Sequence, residues 1–357
     1  MSNPFLKNAP APADNAAALF AAPAKGPART DHHGYELPPE TREYRPSYVR
    51  GKYALPSLDG TKDSLLASRV TSGVKVLDDS TGLMKWQTRQ VVAGVAESPA
   101  LLNLVDLAND SPSSLNRELD EVVDRALVAS GSRRASELGT AIHAWIEAVE
   151  QGHLTVDDVP STFEPYVTAY FDALAAAGVK PLPDYVERIV YDEVTDSAGT
   201  FDNILELATG ERVIGDKKTS KTGSFRYGLL GFAQQLATYA RATHILSVDG
   251  TSWEPMPPVG DAFGVIAHIP SDAPGKCHLH TIDLEYGRRA VDLSLAVKAA
   301  RAGASSINRT WELPTIVAAI HATTTQDELA ALYEQHAGVW TPELTKVGLK
   351  HAEGFAN

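Results

Sequence analysis

Two aspartates and a lysine lie close together near the middle of the chain, in a segment whose residue pattern predicts a β-hairpin. Asp202 lies in the run FDNILEL, and Asp216 and Lys218 lie in or just after the run ERVIGD. Both runs are rich in aliphatic residues, which favours β-strands. Paired carboxylates make a hard oxygen site suited to Mg²⁺ or Mn²⁺. A neighbouring lysine can orient or deprotonate a water molecule, or stabilise charge in a phosphoryl transition state. These three residues are the candidate catalytic residues.

The loop between the two runs, Ala208 to Gly210, decides which residues face each other. A three-residue loop that ends in glycine fits a type I turn followed by a glycine bulge. With that loop, Asp202 lies opposite Asp216, and we expect both carboxylates on one face of the sheet with their Cβ atoms roughly 5 Å apart. Lys218 follows on the same face because strand side chains alternate. A two-residue loop would shift the pairing and turn Asp216 away.

The segment that follows is basic in an otherwise acidic protein. The 357-residue chain has a formal net charge of −13, which argues against a general affinity for the phosphate backbone of nucleic acids. From Arg212 to Arg241 there are six basic residues and one acidic residue, Asp216, so this stretch carries +5. A charge run is usually a solvated face, but one beside paired carboxylates favours an anionic substrate. Lys221 and Arg226 are its candidate binding residues.

The elements around the hairpin predict an α/β domain with a mixed sheet and flanking helices. Apolar periodicity predicts a helix after Ser136 and another that ends at Gly178 as its C-cap, with Pro181 and Pro183 breaking the chain beyond it. The expected helices cover 115–130, 135–150, 161–177, 228–245 and 286–302, with shorter ones near 326–336 and 342–350. The expected strands outside the hairpin cover 186–192, 262–269 and 277–284.

Composition divides the chain into four predicted regions. Residues 1–55 are rich in Ala and Pro and are expected to form a disordered arm. Residues 56–115 contain short mixed segments and are expected to form a small N-terminal lobe. Residues 116–310 hold the chemistry-bearing residues and form the predicted core, and 311–357 form a helical C-terminal tail.

Four short motifs follow one another along the chain. They are G-x-x-x-H ending at His143, G-x-x-D ending at Asp202, D-x-K from Asp216 to Lys218, and Q-x-x-x-Y from Gln235 to Tyr239. This series resembles that of the PD-(D/E)xK nuclease superfamily, and most closely its RecB-like exonuclease branch. That branch includes many phage exonucleases and the CRISPR-associated adaptation nuclease. The resemblance covers about residues 133–300, and its specificity lies in the order of the motifs, since each is weak alone.

The resemblance implies a metal-binding site. By position, His143, Asp202, Asp216 and the backbone carbonyl of Lys217 would bind a divalent metal ion, Mg²⁺ or Mn²⁺, and Lys218 would be the catalytic lysine. The implied fold is α/β, with a restriction-endonuclease-like core, a central mixed sheet flanked by helices, and helical additions at both ends.

The resemblance also gives roles to residues outside the hairpin. Glu187 lies on the preceding strand, where relatives often carry a glutamate, and could assist a second metal ion. Gln235 and Tyr239 lie four apart on one helix face and would contact DNA or orient the site. Without the resemblance, His143 is more simply explained as a core residue and the Gln235–Tyr239 pair as helix surface.

Cysteine content limits the cofactors and the compartment. The single cysteine, Cys277, excludes an intramolecular disulfide and a cysteine-bound iron–sulfur cluster. The chain departs here from the CRISPR-associated branch, and also in having Asp216 where glutamate is commoner. The reducing cytoplasm, bacterial or of a phage-infected host, is the expected compartment.

No apolar run approaches the roughly 20 residues of a membrane span, so no membrane partner is expected.

The leading functional hypothesis is a metal-dependent DNA nuclease, most simply an exonuclease acting in DNA recombination, repair or phage DNA metabolism. Two alternatives are a non-catalytic DNA-binding or assembly protein on a nuclease fold, and a structure-specific endonuclease. The chain lacks the phosphate-loop pattern G-x-x-x-x-G-K-[ST], so ATP-driven unwinding would need a helicase partner; a recombinase is the other candidate partner. The sequence leaves cleavage polarity, strand preference and oligomeric state open.

Overall fold

A computed structural model describes residues 29–31, 34–61, 64–109, 115–304 and 313–356. The described strands are β1 (Arg29–Thr30), β2 (Glu36–Leu37), β3 (Ser47–Val49), β4 (Lys52–Pro56), β5 (Ser64–Arg69), β6 (Lys180–Asp192), β7 (Ser197–Glu206), β8 (Arg212–Ser220), β9 (His244–Leu246), β10 (Trp253–Pro255), β11 (Phe263–Pro270) and β12 (His278–Asp283). The described α-helices are α1 (Val70–Val74), α2 (Thr81–Glu97), α3 (Leu101–Asn109), α4 (Leu115–Ala129), α5 (Arg134–Glu150), α6 (Glu164–Ala177), α7 (Leu229–Arg241), α8 (Leu284–Gly303), α9 (Leu313–Ala322), α10 (Gln326–Gln335) and α11 (Pro342–Ala352). The structure is α/β, as the sequence predicts.

A large mixed sheet contains all the described strands except β1 and β2. Its main path runs β10-β9-β6-β7-β8-β11-β12, and β5, β4 and β3 join through the first residues of β7. β8 pairs with β11 in parallel and β5 pairs with β7 in parallel, whereas the other described pairs of this sheet are antiparallel. The hairpin of β7 and β8 therefore lies in the interior of the sheet.

The turn between β7 and β8 has the predicted geometry. Gly210 has a φ of 82°, which favours glycine, and the amide of Leu207 donates a hydrogen bond to the carbonyl of Glu211 at 2.8 Å. Paired residues run from Glu206 opposite Arg212 to Asn203 opposite Gly215. This register is the one predicted from the three-residue loop.

Hydrophobic cores cover both faces of the hairpin. Leu205 and Val213 pack with residues of α5 and α6, whereas Ile204 and Ile214 pack with residues of α7. Because both faces are buried, the strands read as nearly continuous apolar runs. Helix α6 ends at Gly178 in a left-handed conformation, with φ 68°, as predicted for a glycine C-cap.

The N-terminal region is ordered over more of its length than composition predicts. Residues 1–28 of the predicted disordered arm lie outside the described residues. The rest of that region contains strands β1 to β4, and β4 spans the predicted boundary at residue 55. Trp145 Nε1 donates a hydrogen bond to the carbonyl of Glu36 at 3.0 Å, and Tyr35 and Leu37 pack on the core around α5. Burial of these apolar side chains offsets the conformational entropy that the segment loses when it becomes ordered. The Ala- and Pro-rich composition predicts too little apolar burial for that.

Strand β6 also differs from prediction, because it begins before the two prolines that were expected to break the chain. It starts at Lys180, and its pairing with β7 shifts register between Pro181 and Val186. Prolines are tolerated at such irregular positions because no ladder hydrogen bond is required from them.

The chain forms two compact units, Met1–Val297 and Lys298–Asn357. The second unit has its own small core, in which Ile316, Ile320 and Leu344 are buried. Its helices α10 and α11 correspond to the two that were predicted, and α9 is an additional one. The division lies within α8, not at the expected boundary near residue 310.

Candidate active site

Asp216, Lys218 and Gln235 form one contact group on the α7 side of the sheet. Lys218 Nζ lies 2.6 Å from Asp216 Oδ2. Gln235 links the two, since its Nε2 donates to Asp216 Oδ1 and its Oε1 accepts from Lys218 Nζ, both at 3.2 Å. Alternation along β8 places the acid and the lysine on one face, as predicted, and α7 provides the amide.

Asp202 is close to this group but approaches from the other side. Phe201 and Ile204 both pack in the α7-side core, so strict alternation along β7 is interrupted at the two residues between them. Asp202 lies one position beyond the last paired residue, Asn203, and lines a cavity beside α5. Its Oδ2 accepts a hydrogen bond from the backbone amide of Lys217 at 2.6 Å. The prediction that both aspartates lie on one face is therefore wrong, although the predicted register is correct.

Two motif glycines let helices approach the hairpin. A Cβ at Gly139 would lie 3.3 Å from Thr219 Cβ, so α5 runs close against β8. A Cβ at Gly199 would lie 2.7 Å from the ring of Tyr239. The glycine of the G-x-x-x-H pattern thus lets α5, which carries His143, approach β8, and the glycine of the G-x-x-D pattern lets Tyr239 of α7 approach β7.

His143 lines the same cavity as Asp202, which measures ≈ 450 Å³. Burial lowers the pKa of His143 to about 4, and Lys217 and Lys218 act in the same direction, against the opposing charge of Asp202. The imidazole is therefore neutral near pH 7, which is the form that can bind a metal ion.

The two aspartates have different proton affinities. Burial raises the pKa of Asp216 to about 7, helped by the charge of Asp202 and opposed by Lys218. Burial alone would raise the pKa of Asp202 as well, but Lys217, His143 and Lys218 outweigh it and lower the pKa. Asp202 is thus the carboxylate that stays ionised, while Asp216 titrates near neutrality.

Lys218 is held as an ammonium ion. Burial would lower its pKa, but the carboxylates of Asp216 and Asp202 outweigh burial and raise the pKa. The Phe232 ring, whose centroid is 5.4 Å from Lys218 Nζ, adds a favourable cation–π contact. A protonated lysine can stabilise negative charge or orient a water molecule but does not serve as a general base, so deprotonation of water is the one of the three roles that this charge state disfavours.

Lys217 has a role that sequence reasoning missed. Its side chain is buried and its Nζ donates to Glu150 Oε2 at 2.8 Å. Glu150 also accepts hydrogen bonds from Asn203 and Tyr170, so both oxygens of its buried carboxylate have partners, whereas Asn203 Oδ1 has none among the described residues. Glu150 lies seven residues after His143, on the same face of α5, and an acid within the apolar run AWIEAVE was the available signal.

Glu187 and the N-terminal segment meet at the cavity. Arg42 NH2 lies 2.8 Å from Glu187 Oε2, and the same guanidinium forms two hydrogen bonds with Glu147, each at 2.8 Å. Burial, together with the charge of Asp202, raises the pKa of Glu187 well above its ordinary value. Glu187 has a φ of 53°, an unusual conformation for a residue with a side chain. Arg42 was not among the predicted site residues, because the composition of residues 1–55 predicts a disordered arm.

The residues assigned to DNA binding separate into two kinds. Tyr239 is 1% exposed, and its hydroxyl lies 3.3 Å from Gln235 Nε2, so it supports Gln235 and does not reach a ligand. Of the two roles that the resemblance allowed, orienting the site fits Tyr239 and direct DNA contact does not. Lys221 and Arg226 are exposed on the segment between β8 and α7, where they can reach an anion.

The donors do not form a complete coordination group in the conformation described. Among the described residues, no group of three or more His, Cys, Asp or Glu side chains is arranged to hold a metal ion. His143, Asp202 and Asp216 surround the end of the hairpin from two sides of the sheet, and the Lys217 amide occupies one oxygen of Asp202.

The chain matches none of the protein-family models against which it was compared and is not significantly similar to any curated protein sequence. No helix within the described ranges has the length and apolar character needed to cross a membrane.

Proposed function

We propose that the chain is a metal-dependent deoxyribonuclease with a restriction-endonuclease-like core, and that it acts as an exonuclease of the RecB-like type. The observation that carries the proposal is the meeting of four motifs that are far apart in sequence. Asp216 and Lys218 form an ion pair at 2.6 Å, Gln235 bonds to both, and Asp202 and His143 line the adjoining cavity.

The chemistry of the donor set supports a divalent cation. Asp202 is ionised and His143 is neutral, which are their ligating forms. Asp216 Oδ2 is buried and accepts no well-aligned hydrogen bond from the described residues, although Lys218 Nζ lies nearby. The proposed ligands are His143, Asp202, Asp216 and the carbonyl of Lys217, and Glu187 would assist a second metal ion. When bound, Mg²⁺ or Mn²⁺ would polarise the phosphoryl oxygen and lower the pKa of a water molecule.

The protein side chains contribute charge and position. The ammonium of Lys218 lies where it can stabilise the negative charge that develops on the phosphoryl oxygens during hydrolysis. Gln235 holds Lys218 and Asp216 in fixed relative positions, and buried Tyr239 supports Gln235. Lys221 and Arg226 would attract the phosphate backbone locally in a protein whose overall charge is −13.

The test is a cleavage assay on end-labelled linear DNA and closed circular DNA, with Mg²⁺, Mn²⁺ or EDTA. We expect metal-dependent release of nucleotides from linear DNA and little cleavage of the circle. The variants Asp202→Ala, Asp216→Ala and Lys218→Ala should each lose at least about 100-fold in rate, since each removes a ligand or a charge from the transition state. Full activity in all three folded variants would disprove the proposal.

Two other functions predict different outcomes. A non-catalytic DNA-binding protein would bind DNA in a salt-sensitive manner without cleavage in any metal ion. Two observations favour this non-catalytic function. Among the described residues the metal-donor group is incomplete, and the Arg42 guanidinium is paired with Glu147 and Glu187 at the cavity. A structure-specific endonuclease would cut circular DNA that carries its target structure. In the leading proposal, an exonuclease, DNA is the substrate and a recombinase or a helicase is the protein partner.

A further inference from the structure

The short 3₁₀ segment Thr222–Gly228, directly after β8, carries an exposed aromatic ring that the proposed mechanism does not use. Tyr227 is 77% exposed, more than any other exposed large apolar or aromatic side chain among the described residues. The guanidinium of Arg226 lies 4.8 Å from the ring centroid, and its NH2 donates to the Tyr227 hydroxyl at 2.8 Å. The arginine covers one face of the ring, and the other is open to solvent.

The segment that holds Tyr227 is anchored to the sheet. Phe225 stacks on His268 and His280, with ring centroids 4.5 and 4.4 Å apart. The amide and hydroxyl of Thr222 both donate to Asp272 Oδ1 at 2.9 Å. A ring held by such a support loses little conformational entropy when it binds a ligand.

The same segment adjoins the candidate active site. Gly228, the neighbour of Tyr227, packs so closely on Phe232 that a Cβ there would overlap the Phe232 ring. Phe232 in turn lies beneath Lys218, at 5.4 Å from Nζ. Two directly packed residues, Gly228 and Phe232, therefore lie between Tyr227 and the proposed catalytic lysine.

The electrostatic setting favours a nucleotide over an apolar ligand. No acidic residue occurs in the sequence between Asp216 and Asp249, whereas Arg226 is exposed against the ring and Lys221 is exposed at the start of the same segment. An aromatic face beside cations matches a nucleobase attached to phosphates.

We propose that Tyr227 and Arg226 form a stacking platform for an unpaired nucleobase, so that the strand entering the active site is single-stranded or separated from its complement. This inference rests on the proposed function and specifies its substrate. Bases inside a duplex are already stacked on both sides, so away from the outer face of a terminal base pair only an unpaired base can offer a face to Tyr227. Stacking tolerates any base, so we expect little sequence preference.

The test compares full-length wild-type protein with Tyr227→Ala, Tyr227→Phe and the matched control Tyr286→Ala. Tyr286 lies on α8 and is 60% exposed. Binding to a fluorescent oligothymidine and to a fluorescent duplex of two fully paired strands, which has no loop of unpaired bases, is measured by anisotropy in EDTA, where no cleavage occurs. Tyr227→Ala should weaken single-strand binding roughly 5- to 140-fold, which corresponds to about 1–3 kcal/mol for one lost base stack. Duplex binding should change far less, and the other two variants should resemble wild type.

A single abasic site moved along the oligonucleotide supplies the second measurement. At one position it should weaken binding to wild type but not to Tyr227→Ala, because the stack is already absent there. Unchanged single-strand binding by Tyr227→Ala, an equal loss on duplex, or an abasic penalty that survives in the variant would overturn the platform.

A parallel Mn²⁺ cleavage assay separates the two proposals. If wild type cleaves DNA and the Tyr227 pattern is missing, the platform is wrong and the nuclease stands. If Tyr227→Ala shows the expected loss of single-strand binding but wild type does not cleave DNA, the stacking platform is supported and the protein is a non-catalytic DNA-binding protein.

Discussion

At the scale of single residues, two adjacent lysines of β8 have separate tasks because strand side chains alternate. Lys217 faces α5, where it is 1% exposed and paired with Glu150. Lys218 faces α7 and meets Asp216 and Gln235. The lysine two positions after the acid is thus the one that shares its face. The D-x-K spacing in this chain follows from the period of a β-strand.

The high pKa of Asp216 predicts a pH-dependent affinity for metal ions. Burial raises this pKa to about 7 from an ordinary 3.8, so below pH 7 metal binding must release a proton. We expect the apparent affinity for Mn²⁺ to rise by up to about tenfold per pH unit as the pH approaches 7 and to level off above it. His143 stays neutral in this range, because its pKa is about 4. Calorimetric titration at several pH values measures the slope.

The same shift has an opposite effect on the metal-free protein. The folded state keeps a proton on Asp216 that the unfolded chain has lost, so this group's contribution to stability falls as the pH rises from about 4 to about 7. Asp216→Asn is the control for both effects, because an amide does not titrate. A pH slope in metal affinity that persists in Asp216→Asn would show that another group releases the proton.

At the scale of elements, local chemistry accounts for what could be predicted. Gly210 defines the turn, the turn defines the register of β7 and β8, and the register places Asp216 near Asp202. The interruption at Asp202 could not be predicted, because it depends on packing from both sides of the sheet: Phe201 and Ile204 both enter the α7-side core. The contact of Arg42 with α5 spans 105 residues of sequence. It depends on tertiary packing that local composition does not encode.

The packing of α5 on β8 predicts a strong effect for the pair Glu150 and Lys217. Both side chains are almost fully buried, so removing one leaves an unpaired charge in the core. We expect Glu150→Ala to lower the free energy of unfolding by about 3–5 kcal/mol, measured by urea denaturation. The double variant Glu150→Leu with Lys217→Met removes both charges and should recover much of the loss. A double variant less stable than Glu150→Ala would indicate that the ion pair itself is strongly stabilising.

At the scale of the whole molecule, the two compact units have separate hydrophobic cores, and this predicts separate responses to core mutation. Leu344 is fully buried and packs with Ile316 and Ile320 in the unit that starts at Lys298. Leu344→Ala should destabilise that unit by about 2–5 kcal/mol, through lost burial and the resulting cavity. Hydrogen exchange should then accelerate in α9 to α11, while amides of β7 and β8 keep their protection.

The matched control is Ile204→Val, which removes one methyl group from a fully buried side chain in the first unit. It should cost about 0.5–1.5 kcal/mol and accelerate exchange in the strands instead. If Leu344→Ala accelerated exchange in β7 and β8 as much as in α9 to α11, the units would unfold as one cooperative structure. Independent unfolding would instead mean that the C-terminal helices can open while the hairpin that holds Asp202, Asp216 and Lys218 stays folded.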